Sequence, residues 1–182
     1  MPDHERVVLL DERGAGIGTA AKADVHHGNT PLHLAFSCYL FNDAGELLVT
    51  RRALSKKTWP GVWTNSFCGH PAPGEEWEGA VRRRAHQELG ADVSQLRLAL
   101  PDFRYRATDA GGTVENEVCP VFTARLDGGL DPSPDEVVAW EWVHPLALAD
   151  AVSQTPFAFS PWLVLQLPLL DRAGLLETVV HA

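Results

Sequence analysis

The sequence predicts an α+β fold in which helices flank a mixed central sheet, and three observations carry that prediction. Short apolar runs bounded by Gly-containing turns recur between residues 32 and 143, one amphipathic helical pattern interrupts them, and two further helical stretches follow. No internal repeat and no long Gly/Ser/Pro linker divides the chain, so residues 1–182 are expected to form one domain. A chain of that length buries roughly 70% of its extended surface, enough for a core without staples.

Residues 32–41 are rich in apolar and aromatic side chains and run through Asn42-Asp43-Ala44-Gly45 into Leu47-Leu48-Val49, the pattern of a β-hairpin. In residues 56–65 the Trp59-Pro60-Gly61 sequence signals a turn within an ordered loop. Over residues 75–89, Trp77, Ala80, Val81, Ala85 and Leu89 recur at steps of three and four, which places them on one face of a helix. Gly90 then supplies the left-handed residue that ends it. Residues 92–100, 103–108, 114–125 and 137–143 read as strands, with Asp109-Ala110-Gly111-Gly112 turning between the second and third. Residues 145–152 and the stretch after Ser160 read as helical, and Pro168 is expected to break or kink the latter because proline lacks an N–H. The segments before Lys22 and beyond Trp162 carry no readable motif and are expected at most to cover a pocket.

The formal charge of −9 argues against nucleic-acid and anionic-membrane binding, both of which rest on summed positive charge. An anionic substrate must therefore meet a local basic cluster. Cys38, Cys68 and Cys119 form no CxxC pair and their number is odd, so a reduced, cytoplasmic setting is expected. The N-terminal residues contain only a four-residue apolar run, neither a signal peptide nor a span, and residues 162–170 are too short to cross a bilayer.

Glu115 and Glu117 lie two apart on an expected strand, so both carboxylates project from one face while Asn116 points the other way. Such a pair is most often a solvated face, but Val114, Val118, Val121 and Phe122 surround this one and favour a metal or catalytic use. Cys68 and His70 are also two apart, and His26 and His33 are separated by a stretch containing Gly28 and Pro31. A lone His is more often structural; three imidazoles with two carboxylates suit Mn2+, Mg2+ or a Zn2+ of expanded coordination.

Glu88, one turn beyond Arg84, implies a second cation site shared with substrate phosphate oxygens. Its plain alternative is an intrahelical ion pair worth about 0.3–0.5 kcal/mol. Around it Lys22, Arg51, Arg52, Lys56 and Arg84 are expected to gather as a cluster suited to a diphosphate, while Lys57, Arg82 and Arg83 read as solvated surface. Cys38 and Cys119 read as small buried residues. Cys68 differs, because it adjoins Gly69 and His70 at the mouth of the acidic helix, where a helix N-terminus and a metal tune a thiol.

Gly69, Glu75, Arg83, Glu88 and Gly90 reproduce most of the Nudix box (G, five residues, E, seven residues, REUxEExGU). Arg84 stands where the box has Glu, Gln87 replaces the first of its Glu pair and Ala91 holds its final aliphatic position, so ordinary pyrophosphate hydrolysis is disfavoured. From residue 22 to residue 162 the chain resembles the type I isopentenyl-diphosphate isomerases, a Nudix-like fold. The resemblance rests on LHLAFS around His33, LLVTRRALSKKTWPGVWTNS from Leu47, CGHP from Cys68, DFRYRA from Asp102, ENEVCPVF from Glu115 and AFSPW ending at Trp162.

That resemblance implies interconversion of isopentenyl and dimethylallyl diphosphate, with Cys68 and Glu117 as the catalytic pair. It also implies His26, His33, His70, Glu115 and Glu117 as ligands of a divalent metal, a substrate-bound Mg2+ at Glu88, and Trp162 facing a developing carbocation. Moving a double bond needs one proton delivered and another removed, hence two acid–base groups poised across a flat alkene. General acid–base action gives about 10²–10⁴-fold, roughly 3–5 kcal/mol, so positioning and a dry pocket must supply the rest. Tyr105 is expected to relay or orient the proton, a structural hydroxyl being its alternative. The expected partner is a small-molecule diphosphate bound by Lys22, Arg52, Lys56 and Arg84, with no nucleic acid or membrane, in a monomer or weak homodimer. The rivals are a Nudix pyrophosphohydrolase acting on a nucleoside diphosphate derivative and a non-catalytic binding module on the same scaffold.

Overall fold

The computed structural model describes residues 5–176 and arranges them around two mixed sheets, where one central sheet was expected. The first has the order β2-β1-β3-β10-β9 and is built from β1 (Arg6–Leu10), β2 (Gly16–Ala21), β3 (His33–Leu34), β9 (Arg104–Thr108) and β10 (Val114–Val118). The second has the order β12-β5-β4-β11-β8, from β4 (Phe36–Phe41), β5 (Leu47–Arg52), β8 (Asp92–Leu100), β11 (Val121–Asp127) and β12 (Val137–Val143). Two short strands, β6 (Trp63–Thr64) and β7 (Phe67–Gly69), pair onto β5 and β4.

The expected single strand over residues 114–125 is therefore two strands in two sheets. Pro120 explains the split: with no N–H it cannot continue a ladder, and the chain changes sheets there. Its partner changes sheets at the same level. β3 and β4 run parallel to β10 and β11 respectively, and across the gap the Ala35 N–H donates to the Val118 carbonyl (2.9 Å) and the Ser37 N–H to that of Pro120 (3.1 Å). Residues on β3 and β10 thus stand beside residues on β7, and that junction holds the site.

The expected hairpin of β4 and β5 is present, with Asn42 Oδ1 accepting from the N–H groups of Ala44 and Glu46. The two strands pair directly only at Phe41 and Leu47. Beyond that point the loop inserts β6 and β7 between them, and the Ser66 hydroxyl spans the opening by accepting from Leu40 N–H (2.7 Å) and donating to the Leu48 carbonyl (2.8 Å).

A four-residue α1 (Lys22–Val25) leads from β2 toward His26. The amphipathic pattern forms α2 (Trp77–Leu89), whose Ala80, Val81, Ala85 and Leu89 pack on Phe36, Leu40, Phe67 and Phe122. Gly90 ends it with φ of 57°, and a Cβ there would lie 2.6 Å from the Asp131 carbonyl oxygen, so conformation and space both demand glycine. α3 (Pro145–Gln154) is followed by α4 (Pro161–Arg172), whose Ser160 cap accepts from the Leu163 N–H. Pro168 does not break α4. The helix runs on to Arg172 because Leu163, Leu167 and Leu170 are fully buried, outweighing the roughly 3 kcal/mol disfavour of an interior proline. The β1–β2 hairpin is absent from the sequence reading; its signal is Asp11, whose Oδ1 accepts from the N–H groups of Arg13 and Ala15 ahead of the apolar-poor β2. Among the described residues no helix is long and apolar enough to cross a membrane.

Candidate active site

Register brings the candidate metal ligands together. Glu117 on β10 stands beside His33 in the parallel pairing and beside Tyr105 in the antiparallel one. His26 follows α1 and His70 follows β7, and the three imidazole rings lie 5.1–5.6 Å apart between centroids. One potential ligand atom from each of His26, His33, His70 and Glu117 falls within 4.8 Å of all the others. His33 and His70 Nε2 lie 3.4 and 3.3 Å from Glu117 Oε1, and His26 Nε2 lies 3.2 Å from Glu115 Oε2.

Although carboxylates are that near, His26 Nε2 and His33 Nε2 are buried without a hydrogen-bond partner. His33 Nδ1 lies 3.0 Å from the Pro31 carbonyl, which accepts its proton and leaves Nε2 with a lone pair. Buried imidazole nitrogens left without hydrogen-bond partners beside carboxylates fit a divalent cation better than an ion pair, and the nitrogen and oxygen donor set suits one. Glu115 stands just outside the tight set. Its Oε1 accepts from Thr58 Oγ1 (2.7 Å), while Asn116 points away and donates to the Thr30 carbonyl, the alternation that the strand period predicts.

Burial opposes ionisation of Glu117, yet the neighbouring His33 and His70 imidazoles hold its carboxyl well below the usual range. Glu115 is raised by burial and by the Glu117 charge. Burial pushes His70 down to about 4, whereas at His33 the Glu117 carboxylate outweighs burial and raises the imidazole.

Cys68, Tyr105, Glu117 and Trp162 face one cavity of about 490 Å3, with His26, His70 and Glu115 also on its wall and His33 fully buried behind. Tyr105 donates its hydroxyl to Glu117 Oε2 (3.0 Å). Burial pushes the Cys68 thiol up to about 12, so its surroundings favour the protonated form. Trp162 packs edge-on to Trp59 and beside Tyr105, and the Arg52 guanidinium carbon lies 5.2 Å from the centroid of its ring. Cys38 and Cys119 are buried in the core, as their apolar settings predict.

Lys22, Arg52, Lys56, Arg84 and Glu88 line the same cavity. Arg51 does not. Strand alternation turns it outward, where its Nε donates to the Gly61 carbonyl. Lys57, read as solvated surface, also lines the cavity and donates to the Ala23 carbonyl. Arg82 pairs with Glu78 as a surface residue, but Arg83 clamps Glu75 by donating from Nε and Nη2 to its two carboxylate oxygens (2.8 and 2.7 Å) and so ties the loop after β7 to α2. The box residues Glu75 and Arg83 thus serve the scaffold. Gly69 serves it as well, since a Cβ there would lie 2.5 Å from Arg84 Cγ.

The intrahelical pair of Arg84 with Glu88 is present at 2.7 Å and buried, and Glu88 lines the cavity as well. Burial raises the Glu88 carboxyl, with Arg84 opposing. Three residues that the sequence reading omits complete the electrostatics. Glu136 reaches Arg84 (3.5 Å) and pairs with Lys56, Glu5 pairs with Lys22 (2.5 Å), and Thr58 holds Glu115. Glu5 and Glu136 lie in segments without a motif, and only the fold brings them here. From α2 only Arg84 and Glu88 line the cavity, which leaves no cluster of helix carboxylates to activate water for hydrolysis.

Residues 31–163 match the NUDIX domain family. The isopentenyl-diphosphate Delta-isomerase of Paenarthrobacter aurescens (strain TC1) is 63% identical over 172 residues, which cover 94% of both chains. That of Leifsonia xyli subsp. xyli (strain CTCB07) is 66% identical over 175 residues, 95% of both. Among solved structures, DR0079 from Deinococcus radiodurans has a TM-score of 0.71 at 23% identity, covering 91% of this chain and 98% of that one. The MutT protein from Methanosarcina mazei Go1 reaches 0.62 at 18% identity over 79% of this chain and 96% of its own. Those two likenesses establish the fold alone. The chain belongs to the Nudix family and, within it, to the isopentenyl-diphosphate Delta-isomerases.

Proposed function

We propose that this chain interconverts isopentenyl and dimethylallyl diphosphate by placing one proton on the five-carbon tail and removing another. The observation that carries the reading is a single cavity shared by a thiol, a hydrogen-bonded carboxylate, an aromatic face and a cation cluster: Cys68, Glu117, Trp162, and Lys22, Arg52, Lys56 and Arg84. A proton added to the terminal methylene uses the alkene electron pair for the new C–H bond and leaves positive charge at the branched carbon. Loss of a proton from the neighbouring carbon returns an electron pair to the chain as the shifted double bond. Composition is unchanged, so no water or redox partner is consumed and no phosphate is released.

Cys68 and Glu117 are the acid–base pair in this reading, and Tyr105 orients the Glu117 oxygen that it bonds. Trp162 presents its face to the developing charge, an interaction worth about 2 kcal/mol or more once water is excluded. Lys22, Arg52, Lys56 and Arg84 bind and orient the diphosphate. His26, His33, His70, Glu115 and Glu117 hold a divalent cation, Mn2+, Mg2+ or Zn2+, which supplies a fixed positive charge beside the Glu117 carboxylate. Glu88 is the position for a Mg2+ that accompanies the substrate diphosphate. The setting we infer is one domain acting in the cytoplasm on a small-molecule diphosphate, as a monomer or weak homodimer; the odd number of cysteines supports the compartment.

Incubation of the purified chain and Mg2+ with isopentenyl diphosphate, and separately with ADP-ribose, tests the activity. The expected result is dimethylallyl diphosphate without inorganic phosphate, and intact ADP-ribose. Hydrolysed ADP-ribose with no allylic product reverses the assignment.

A further inference from the structure

We propose that Asn65 is a positioning residue of the reaction: its one amide oxygen holds the Cys68 thiol and the Trp162 indole in a fixed relation to each other. The proposal rests on the reading of Cys68 and Trp162 as groups that face the substrate. Asn65 lies between β6 and β7 and is fully buried. Its Nδ2 donates to the carbonyls of Cys38 (3.0 Å) and Phe67 (2.8 Å). Carbonyls only accept, so these bonds commit both amide hydrogens and determine which end of the side chain is nitrogen. The remaining end can only accept. Oδ1 receives the Trp162 Nε1–H at 2.9 Å, the Cys68 Sγ–H at 3.4 Å and the Thr64 hydroxyl at 2.9 Å.

An indole nitrogen is a donor only, so Trp162 has no alternative role in that contact. The bond joins α4 to the β6–β7 segment across 97 positions of sequence. A second polar link from α4 ends on the same thiol: Gln166 Nε2 donates to Ser37 Oγ (2.9 Å), which lies 3.4 Å from Cys68 Sγ. The aromatic wall and the thiol are therefore held to one another through buried side chains and do not depend on substrate to bring them together. That matters because an acid–base group and a cation-stabilising face must meet the same flat alkene, and a shift of about 1 Å can cost on the order of 10²-fold in rate.

The test compares Asn65→Ala, Asn65→Asp, Trp162→Phe and the double variant Asn65→Ala/Trp162→Phe by kcat and KM for isopentenyl diphosphate, with thermal melting of each. Asn65→Ala is expected to lower kcat by about 10²-fold with KM within about threefold of wild type. In Asn65→Asp, burial keeps the carboxyl protonated and an oxygen still faces Cys68 and Trp162, while donation to the two carbonyls is curtailed. This variant is expected to keep at least about tenfold more kcat than the alanine variant even where both melt at lowered temperature, a difference that a merely structural residue does not produce. The losses in the double variant are expected to fall short of the product of the single losses, because both substitutions remove the same bond. Equal kcat in the aspartate and alanine variants, or multiplying losses in the double variant, overturns the proposal. Should Asn65→Ala fail to fold, the aspartate variant decides alone: kcat within about tenfold of wild type supports the role and a larger loss overturns it. A wild-type chain without isomerase turnover overturns instead the functional reading on which the proposal stands.

Discussion

Glu117 is the residue on which the contacts of the site converge: imidazoles from two separate segments and the Tyr105 hydroxyl all reach its two oxygens. Glu117→Gln keeps the shape and removes the exchangeable proton, so kcat is expected to fall by at least about 10²-fold while the chain still melts as a folded protein. Steady-state kinetics beside a thermal melt checks both halves of that expectation. Cys38→Ala, in the core and away from the cavity, is expected to retain most of the activity at a stability cost of about 1 kcal/mol. The pairing of Glu115 and Glu117 on one face was legible because a strand has a period of two. The hydroxyl that holds Glu115 was not, since Thr58 lies 57 positions away in a loop and only tertiary folding brings it there. Arg51 and Lys57 were misassigned for a related reason: two adjacent cations on a strand end, or in a loop, look alike until the direction of each side chain is known.

The elements differ in how plainly the sequence marks them. α2 was readable because its apolar stripe and its glycine cap agree, β8 because Pro101 follows its last residue, and β12 because Pro145 opens the next helix just beyond it. The run after Val114 was misread as one strand because its residues suit a strand on both sides of Pro120, and one missing N–H divides it between sheets. Pro168 misleads in the opposite direction. It is exposed on α4 while Leu163, Leu167 and Leu170 are buried, so packing overrides local preference. Pro168→Ala restores a helix former at an exposed interior position and is expected to stabilise the fold by about 1–3 kcal/mol, raising the melting temperature by roughly 2–4 °C per kcal/mol. Calorimetry checks this, with unchanged kcat as the control; a lowered melting temperature shows that the proline is needed for the packing of α4.

For the molecule as a whole, the decisive arrangement is the switch of two parallel strand pairs between sheets, which brings His33 on β3 and Glu117 on β10 next to the thiol on β7. The family motifs grouped these residues in the sequence, whereas the division into two sheets was not read from it, since a mixed central sheet was expected. Because the proposed cation ligands His26, His33, His70 and Glu117 come from four separate segments, a bound ion would tie four parts of the chain together. A metal present at about 100 times its dissociation constant adds roughly 2.7 kcal/mol of stability. Chelation is therefore expected to lower the melting temperature by about 5–10 °C and to stop turnover, with both restored by added Mn2+ or Mg2+. The most direct measurement is an NMR assay in D2O with isopentenyl diphosphate, comparing the metal-loaded wild type with Cys68→Ala. Thiol-dependent proton transfer predicts deuterium-labelled dimethylallyl diphosphate and no inorganic phosphate from the wild type, and no conversion by the folded alanine variant. Undiminished conversion by Cys68→Ala, or release of phosphate by the wild type, contradicts it.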